Sequence, residues 1–167
     1  TNRIYVVNFS NNNVSVIEGN TNTVIATFSV GSTPVGIAIN PTTNRIYVTS
    51  QINNNISVID GLSNSVITTV PVGSTPEGIA VNPTTNRIYV TNLNSNNVSV
   101  IDGLSNSVIA TVPVGINPEG VAVNPLTNGI YVANLSSNNV SVISGNTNSV
   151  IATVPVGTNP VGVAVNP

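Results

Sequence analysis

The sequence contains no cysteine, histidine, methionine, tryptophan or lysine. Without Cys or His there is no thiolate or imidazole for a metal site, no cysteine nucleophile and no Ser-His pair, so neither metal nor cofactor is expected. Missing cysteines leave the compartment open, because disulfides are permitted rather than required outside the cell. Charge is almost as scarce, with three Arg against five Asp plus Glu and a net charge of −2 over 167 residues. That balance excludes the basic footprint of a nucleic-acid binder and any polybasic membrane patch. No apolar run approaches the 18 or so residues of a membrane span, so no membrane insertion is expected. With neither a signal peptide nor an initiator Met, the chain reads as a mature, trimmed or partly traced product.

What is present is Val, Ile, Asn, Ser and Thr. An apolar fraction of 40% argues against disorder, and a chain of this length buries about 70% of its unfolded surface. With so little charge, solubility is expected to rest on Asn, Ser and Thr.

Self-similarity is the strongest signal. Tyr5, Tyr47, Tyr89 and Tyr131 follow one another at intervals of 42 residues, which sets repeats at 1–42, 43–84, 85–126 and 127–167. Comparing 43–84 with 85–126 gives ten differences in 42 positions. Each repeat holds four short Val/Ile/Tyr/Thr-rich segments bounded by Gly, Pro, Asn and Asp, such as "GVAVN" at 120–124 and "GIYVAN" at 129–134. That is a strand pattern. Both faces of these strands are apolar, as in sheets packed on both sides. Repeated four-stranded antiparallel sheets stacked on copies of themselves predict an all-β protein, a β-propeller.

Pro71, Pro113 and Pro155 lie inside the last strand of their repeats, where only an outer edge tolerates a missing donor. The Gly- and Ala-bearing "GIAVN" strand suits the crowded axis. With strands A (inner) to D (outer), the chain reads BCD–ABCD–ABCD–ABCD–A. The closing segment Val161, Gly162, Val163, Ala164 and Val165, within 161–167, is therefore expected to act as the inner strand of the blade formed by 1–30. Small Val, Ile and Ala faces suit blades lying nearly parallel, so an eight-bladed homodimer is favoured. A four-bladed monomer, a fragment of a longer array and head-to-tail polymers are the alternatives.

The repeat phrase "PEGIAVNPTTNRIYVTN", followed by "NNVSVIDG" and "SVIATVPVG", resembles the YVTN β-propeller repeat family. The tetrapeptide stands here as Tyr89-Val90-Thr91-Asn92, with variants at 5–8, 47–50 and 131–134. The resemblance covers the whole chain. It implies an extracellular or cell-surface protein of the surface-layer type found in archaea and bacteria, with no shared catalytic motif to carry over.

Candidate site residues are few. Glu77 and Glu119 precede inner strands at the channel mouth, where they could recruit a cation or a basic ligand; a solvated loop carboxylate is the simpler reading. Six of the ten differences fall at 50–53/92–95 and 74–75/116–117, the B–C and D–A loops of one face. That loop face, with Gln51, Ile52, Leu93 and Asn94, is the candidate site for a protein or glycan ligand. Neutral drift explains the same pattern. Asp60 and Asp102 precede Gly, a hairpin signal in which Gly is expected at positive φ. Arg3, Arg45 and Arg87 read as surface or inter-blade donors, and the four Tyr as blade-to-blade packing. Sequons occur at Asn8, Asn13, Asn55, Asn97, Asn134 and Asn139, either as glycosylation sites or as strand-start chemistry. A non-catalytic surface module assembling through strand exchange is the first expectation. A hydrolase or lactonase-like propeller enzyme, or an engineered repeat scaffold, is the alternative.

Overall fold

A computed structural model describes residues 2–167. Blade one has three strands, β1 (Arg3–Asn8), β2 (Asn13–Glu18) and β3 (Thr23–Ser29), in that spatial order. Blade two runs β4 (Pro34–Asn40), β5 (Arg45–Ser50), β6 (Asn55–Asp60) and β7 (Ser65–Pro71). Blade three repeats it as β8 (Pro76–Asn82), β9 (Arg87–Asn92), β10 (Asn97–Asp102) and β11 (Ser107–Pro113). Blade four follows as β12 (Pro118–Asn124), β13 (Gly129–Asn134), β14 (Asn139–Ser144) and β15 (Ser149–Pro155). All pairings are antiparallel.

Strand order within a blade matches the order along the chain. The proline-bearing β7, β11 and β15 lie at the outer edge, where no neighbour asks for the lost donor. Each outer strand also carries a bulge, Ile67 in β7 and Ile109 in β11, where the register shifts by one residue. A bulge on an edge strand twists it away from edge-to-edge pairing. The inner strands pack on one another in sequence, β4 on β8 and β8 on β12.

The core lies between blades. At one junction Tyr47, Ile56, Val58 and Val70 of blade two meet Ile88, Val90 and Ile101 of blade three. At the next, Tyr89, Val98, Val100 and Val112 meet Ile130, Val132 and Ile143. Period-two alternation thus assigns each strand one set of residues to the preceding blade and one to the following blade. Tyr47 and Tyr89 are fully buried here, as blade-to-blade packing requires.

Asparagine proves structural rather than merely solubilising. Fifteen non-glycine residues have positive φ, all of them Asn except Thr33 and Thr75, and no glycine does. Asn tolerates the left-handed region because its short amide bonds locally. The expectation for the Asp-Gly turns is therefore corrected. Asn64 takes the left-handed position, with its N–H donating 2.8 Å to the Asp60 carbonyl, and Gly61 keeps negative φ. Asn40, Asn82, Asn92 and Asn134 are fully buried.

Residues 161–167 belong to no strand. Among the described residues nothing pairs this segment with blade one, and the four blades form an open arc. Val161 lies instead beside β12, its carbonyl accepting a 3.0 Å bond from the Gly120 N–H. The faces at both ends of the arc lie open. Ile4 is 45% exposed where Ile46, Ile88 and Ile130 are fully buried, and Val154 is 46% exposed where Val70 and Val112 are nearly so.

Candidate functional site at the loop face and blade ends

The B–C and D–A loops meet on one face, as expected. The Gln51 N–H donates 3.2 Å to the Thr33 carbonyl, and in the next blade Leu93 donates 2.9 Å to Thr75. The Asn side chains at the left-handed positions fasten these loops from the preceding blade, Asn54 Oδ1 accepting from the Thr75 N–H at 2.9 Å. Asn94 Nδ2 donates 2.7 Å to Thr75 Oγ1. Of the candidate ligand residues, Ile52 and Asn94 project outward, whereas Gln51 and Leu93 are half-buried.

Glu77 departs from the solvated-carboxylate reading. It is half-buried, and Gln51 Nε2 donates to its Oε1. Burial raises its pKa, Gln51 opposes that shift, and the Glu119 carboxylate raises it further. In the next blade Leu93 stands where Gln51 would, so Glu119 has no matching amide donor. The inner strands themselves are tied by threonine. Thr49 Oγ1 donates 3.0 Å to the Glu77 carbonyl and Thr91 Oγ1 2.6 Å to that of Glu119.

On the opposite face Arg45 pairs with Asp60 at 2.9 Å and Arg87 with Asp102 at 3.4 Å. Arg3 reaches across to the neighbouring blade, donating 2.7 Å to the Gly61 carbonyl. The Ser63 N–H is the main influence holding the Asp60 carboxyl below its usual range, and the Ser105 hydroxyl does the same for Asp102. The pH dependence has two limbs of opposite sign. Glu77, with its raised pKa, costs stability while ionised, so stability is expected to rise as pH falls through its titration. Asp60 and Asp102 contribute above the ordinary aspartate range, and that contribution is lost as pH falls further through their depressed values. Melting temperature followed against pH should pass through a maximum on the acid side, and Glu77→Gln should flatten the rise alone.

Five of the six sequon asparagines take part in a structural clamp. Asn92 Nδ2 donates to Asn97 Oδ1 at 2.7 Å and to Ser99 Oγ at 2.9 Å. Asn134 does the same to Asn139 and Ser141, and Asn8 to Asn13 and Ser15. Asn134 is fully buried. Its amide nitrogen, the atom a glycan would need, is committed inside the fold, which corrects the glycosylation reading there. Blade two has Ser50 in the donor's place, and Ser50 Oγ and Asn55 Oδ1 are left buried without partners. Ser50→Asn is expected to restore the clamp and stabilise by about 1 kcal/mol, measured by urea denaturation. Neither the role of Asn12 and its counterparts nor this clamp is among the expectations from sequence; the recurrence of Asn at fixed repeat positions is the signal for both.

Comparison with solved structures places these blades in a known architecture. The chain superposes on hydrazine synthase of Kuenenia stuttgartiensis with TM-score 0.85 at 22% identity, over 92% of this chain and 46% of that one. A functionally unknown protein of Desulfotomaculum acetoxidans gives TM-score 0.88 at 20% identity, over 99% and 56%. The dihydro-heme d1 dehydrogenase NirN gives 0.78 at 18%, over 95% and 36%. The chain is an arc of a β-propeller. It spans about half the length of the first two structures and about a third of the last. At such identity the likeness is one of fold alone. No protein-family profile matches the chain, and no curated protein matches it. No helix among the described residues is long and apolar enough to cross a membrane.

Proposed function

We propose that the chain is a non-catalytic, extracellular structural or interaction module of the YVTN surface-layer type, which assembles through its two end blades. One observation carries the reading. The apolar faces that each internal junction buries lie open at the two ends, and the two ends are the complementary halves of such a junction. The loop face, built of short loops fixed by Asn and Thr, offers a rigid polar surface for a protein or glycan. The scarcity of carboxylates and the lack of Cys and His support a binding role over a hydrolytic one.

Light scattering tests it. The chain is expected at twice 17.0 kDa, and a screen of ester and lactone substrates, with and without chelator, is expected to show no turnover. A monomeric mass would remove the assembly, and metal-dependent turnover would remove the non-catalytic reading.

A further inference from the structure

The outer strands of the four blades are near copies of one another. Residues 107–115 and 149–157 both read "SVIATVPVG" and residues 65–73 read "SVITTVPVG", whereas residues 23–31 read "TVIATFSVG". Apart from Thr23 for Ser, blade one departs at two positions. Phe28 stands where Val70, Val112 and Val154 stand, and Ser29 where Pro71, Pro113 and Pro155 stand. We infer that the outer edge of β3 is a docking edge for a second copy of this chain, the two β3 strands pairing antiparallel about a two-fold axis at Phe28. This contact goes beyond the end-blade assembly proposed above and uses a different surface.

β3 is the last strand of its sheet. Its free edge does not depend on where the sequence begins. β7, β11 and β15 end their sheets in the same way, and a fourth strand of blade one would enter at the opposite edge, beside β1. Proline guards the three sister edges. Val72 donates 3.0 Å to the Asn54 carbonyl and Val114 3.1 Å to that of Asn96. Successive residues of an antiparallel strand turn their backbone groups to alternate edges. The nitrogens of Pro71 and Pro113 therefore face outward, with no hydrogen to offer an incoming strand. In β3 Val30 donates 3.0 Å to the Asn12 carbonyl. Ser29 and Thr27 then face outward, and each presents both an N–H and a carbonyl. The bulge at Ile25 lies before this stretch, and from Ala26 to Ser29 the register with β2 is regular.

The edge fits a copy of itself. With Phe28 opposite Phe28 of the second copy, Thr27 opposes Ser29 of that copy and Ser29 opposes its Thr27. Each of these flanking pairs exchanges both main-chain bonds, and the central pair is of the kind without them, in which side chains approach most closely. An aromatic pair at that position stabilises the pairing. Phe28 is half-buried against the seam between blades one and two, which leaves part of its ring for its counterpart. Thr23–Ser29 carries no charge, so like meets like without repulsion. An unrelated extended peptide would find the same main-chain groups, but a copy alone brings a second phenylalanine to the symmetry point. A two-fold contact closes after two copies. One strand edge buries well under the roughly 1,200 Å² of a stable interface, so association through it is weak and reversible.

Sedimentation equilibrium over a rising concentration series tests it. The average mass of the wild-type chain is expected to climb with concentration above its low-concentration value. Ser29→Pro, a residue that three sister strands accommodate, should keep the melting temperature and weaken this step at least about tenfold. Ser29→Ala keeps the N–H and should leave the step in place. No climb, a climb that Ser29→Pro leaves intact, or one lost equally in Ser29→Ala would overturn main-chain pairing at this edge. Phe28→Cys decides should Ser29→Pro fold poorly. The two introduced sulfurs would meet across the axis, where the Cα atoms of such a pair lie about 4.5 Å apart, within disulfide reach. No covalent dimer on oxidation would overturn the register. The end-blade faces carry Ile4, Val6 and Val154, which these variants leave alone. Their assembly is read from the low-concentration mass, so either contact can fail without the other.

Discussion

Tyr89→Ala is expected to cost about 3–5 kcal/mol, the range for removing a fully buried aromatic side chain. Tyr89 is wholly enclosed between blades three and four, against Ile130, Val132 and Ile143. Its neighbours belong to two different sheets, so neither can collapse into the space without dragging its own ladder. Tyr89→Phe isolates the hydroxyl. That oxygen is buried with no partner, and burial pushes its pKa up. Removing it should leave stability unchanged or slightly raised.

Tyr131 holds the same repeat position but faces the open end of blade four, and it is only half-buried. In a dissociated chain Tyr131→Ala should cost far less than Tyr89→Ala. In a pair assembled through the end blades, as proposed above, the same substitution would remove a covered aromatic from the contact and appear as weakened association. Urea denaturation at several protein concentrations separates the cases, because only stability coupled to assembly depends on concentration. Equal, concentration-independent costs at Tyr89 and Tyr131 would contradict an open end face.

Much of this arrangement was legible from residues alone, where a residue type has one structural use. Pro71, Pro113 and Pro155 identified the outer strand because a missing donor has only one place in a sheet. The glycine of "EGIAV" identified the inner strand through its need for close approach. The asparagines were harder because Asn has several uses: turn former, left-handed residue, sequon and buried donor. Asn54 acts on Thr75, 21 residues away, and Asn40 on Asn86, 46 residues away. No local pattern reports such a pairing. The Asp-Gly turn misled for the opposite reason. The dipeptide has a strong two-residue hairpin use, but the turn here is longer and places Asn64 at the position of positive φ. Glu77 looks solvated in sequence because its amide partner, Gln51, lies on a different blade's loop.

Gly78 and Gly162 hold the same repeat position and provide the sharpest test of how closely the inner strands pack. A Cβ on Gly78 would drive into the carbonyl of Glu119 on the next inner strand. That obstacle is backbone and has no rotamer to change, so Gly78→Ala is expected to destabilise by about 1–3 kcal/mol as overpacking does, or more. Gly162 is the same residue one repeat after Gly120, yet within this chain a Cβ there meets nothing within 4 Å. Gly162→Ala should therefore leave this fold untouched, with far-ultraviolet circular dichroism and hydrogen exchange in β8–β12 unchanged, whereas Gly78→Ala should loosen both. Gly157→Ala is a second such case in this chain, since a Cβ there also meets nothing within 4 Å. If Gly162→Ala cost as much as Gly78→Ala, the approach of the next inner strand would not be what requires glycine at position 78.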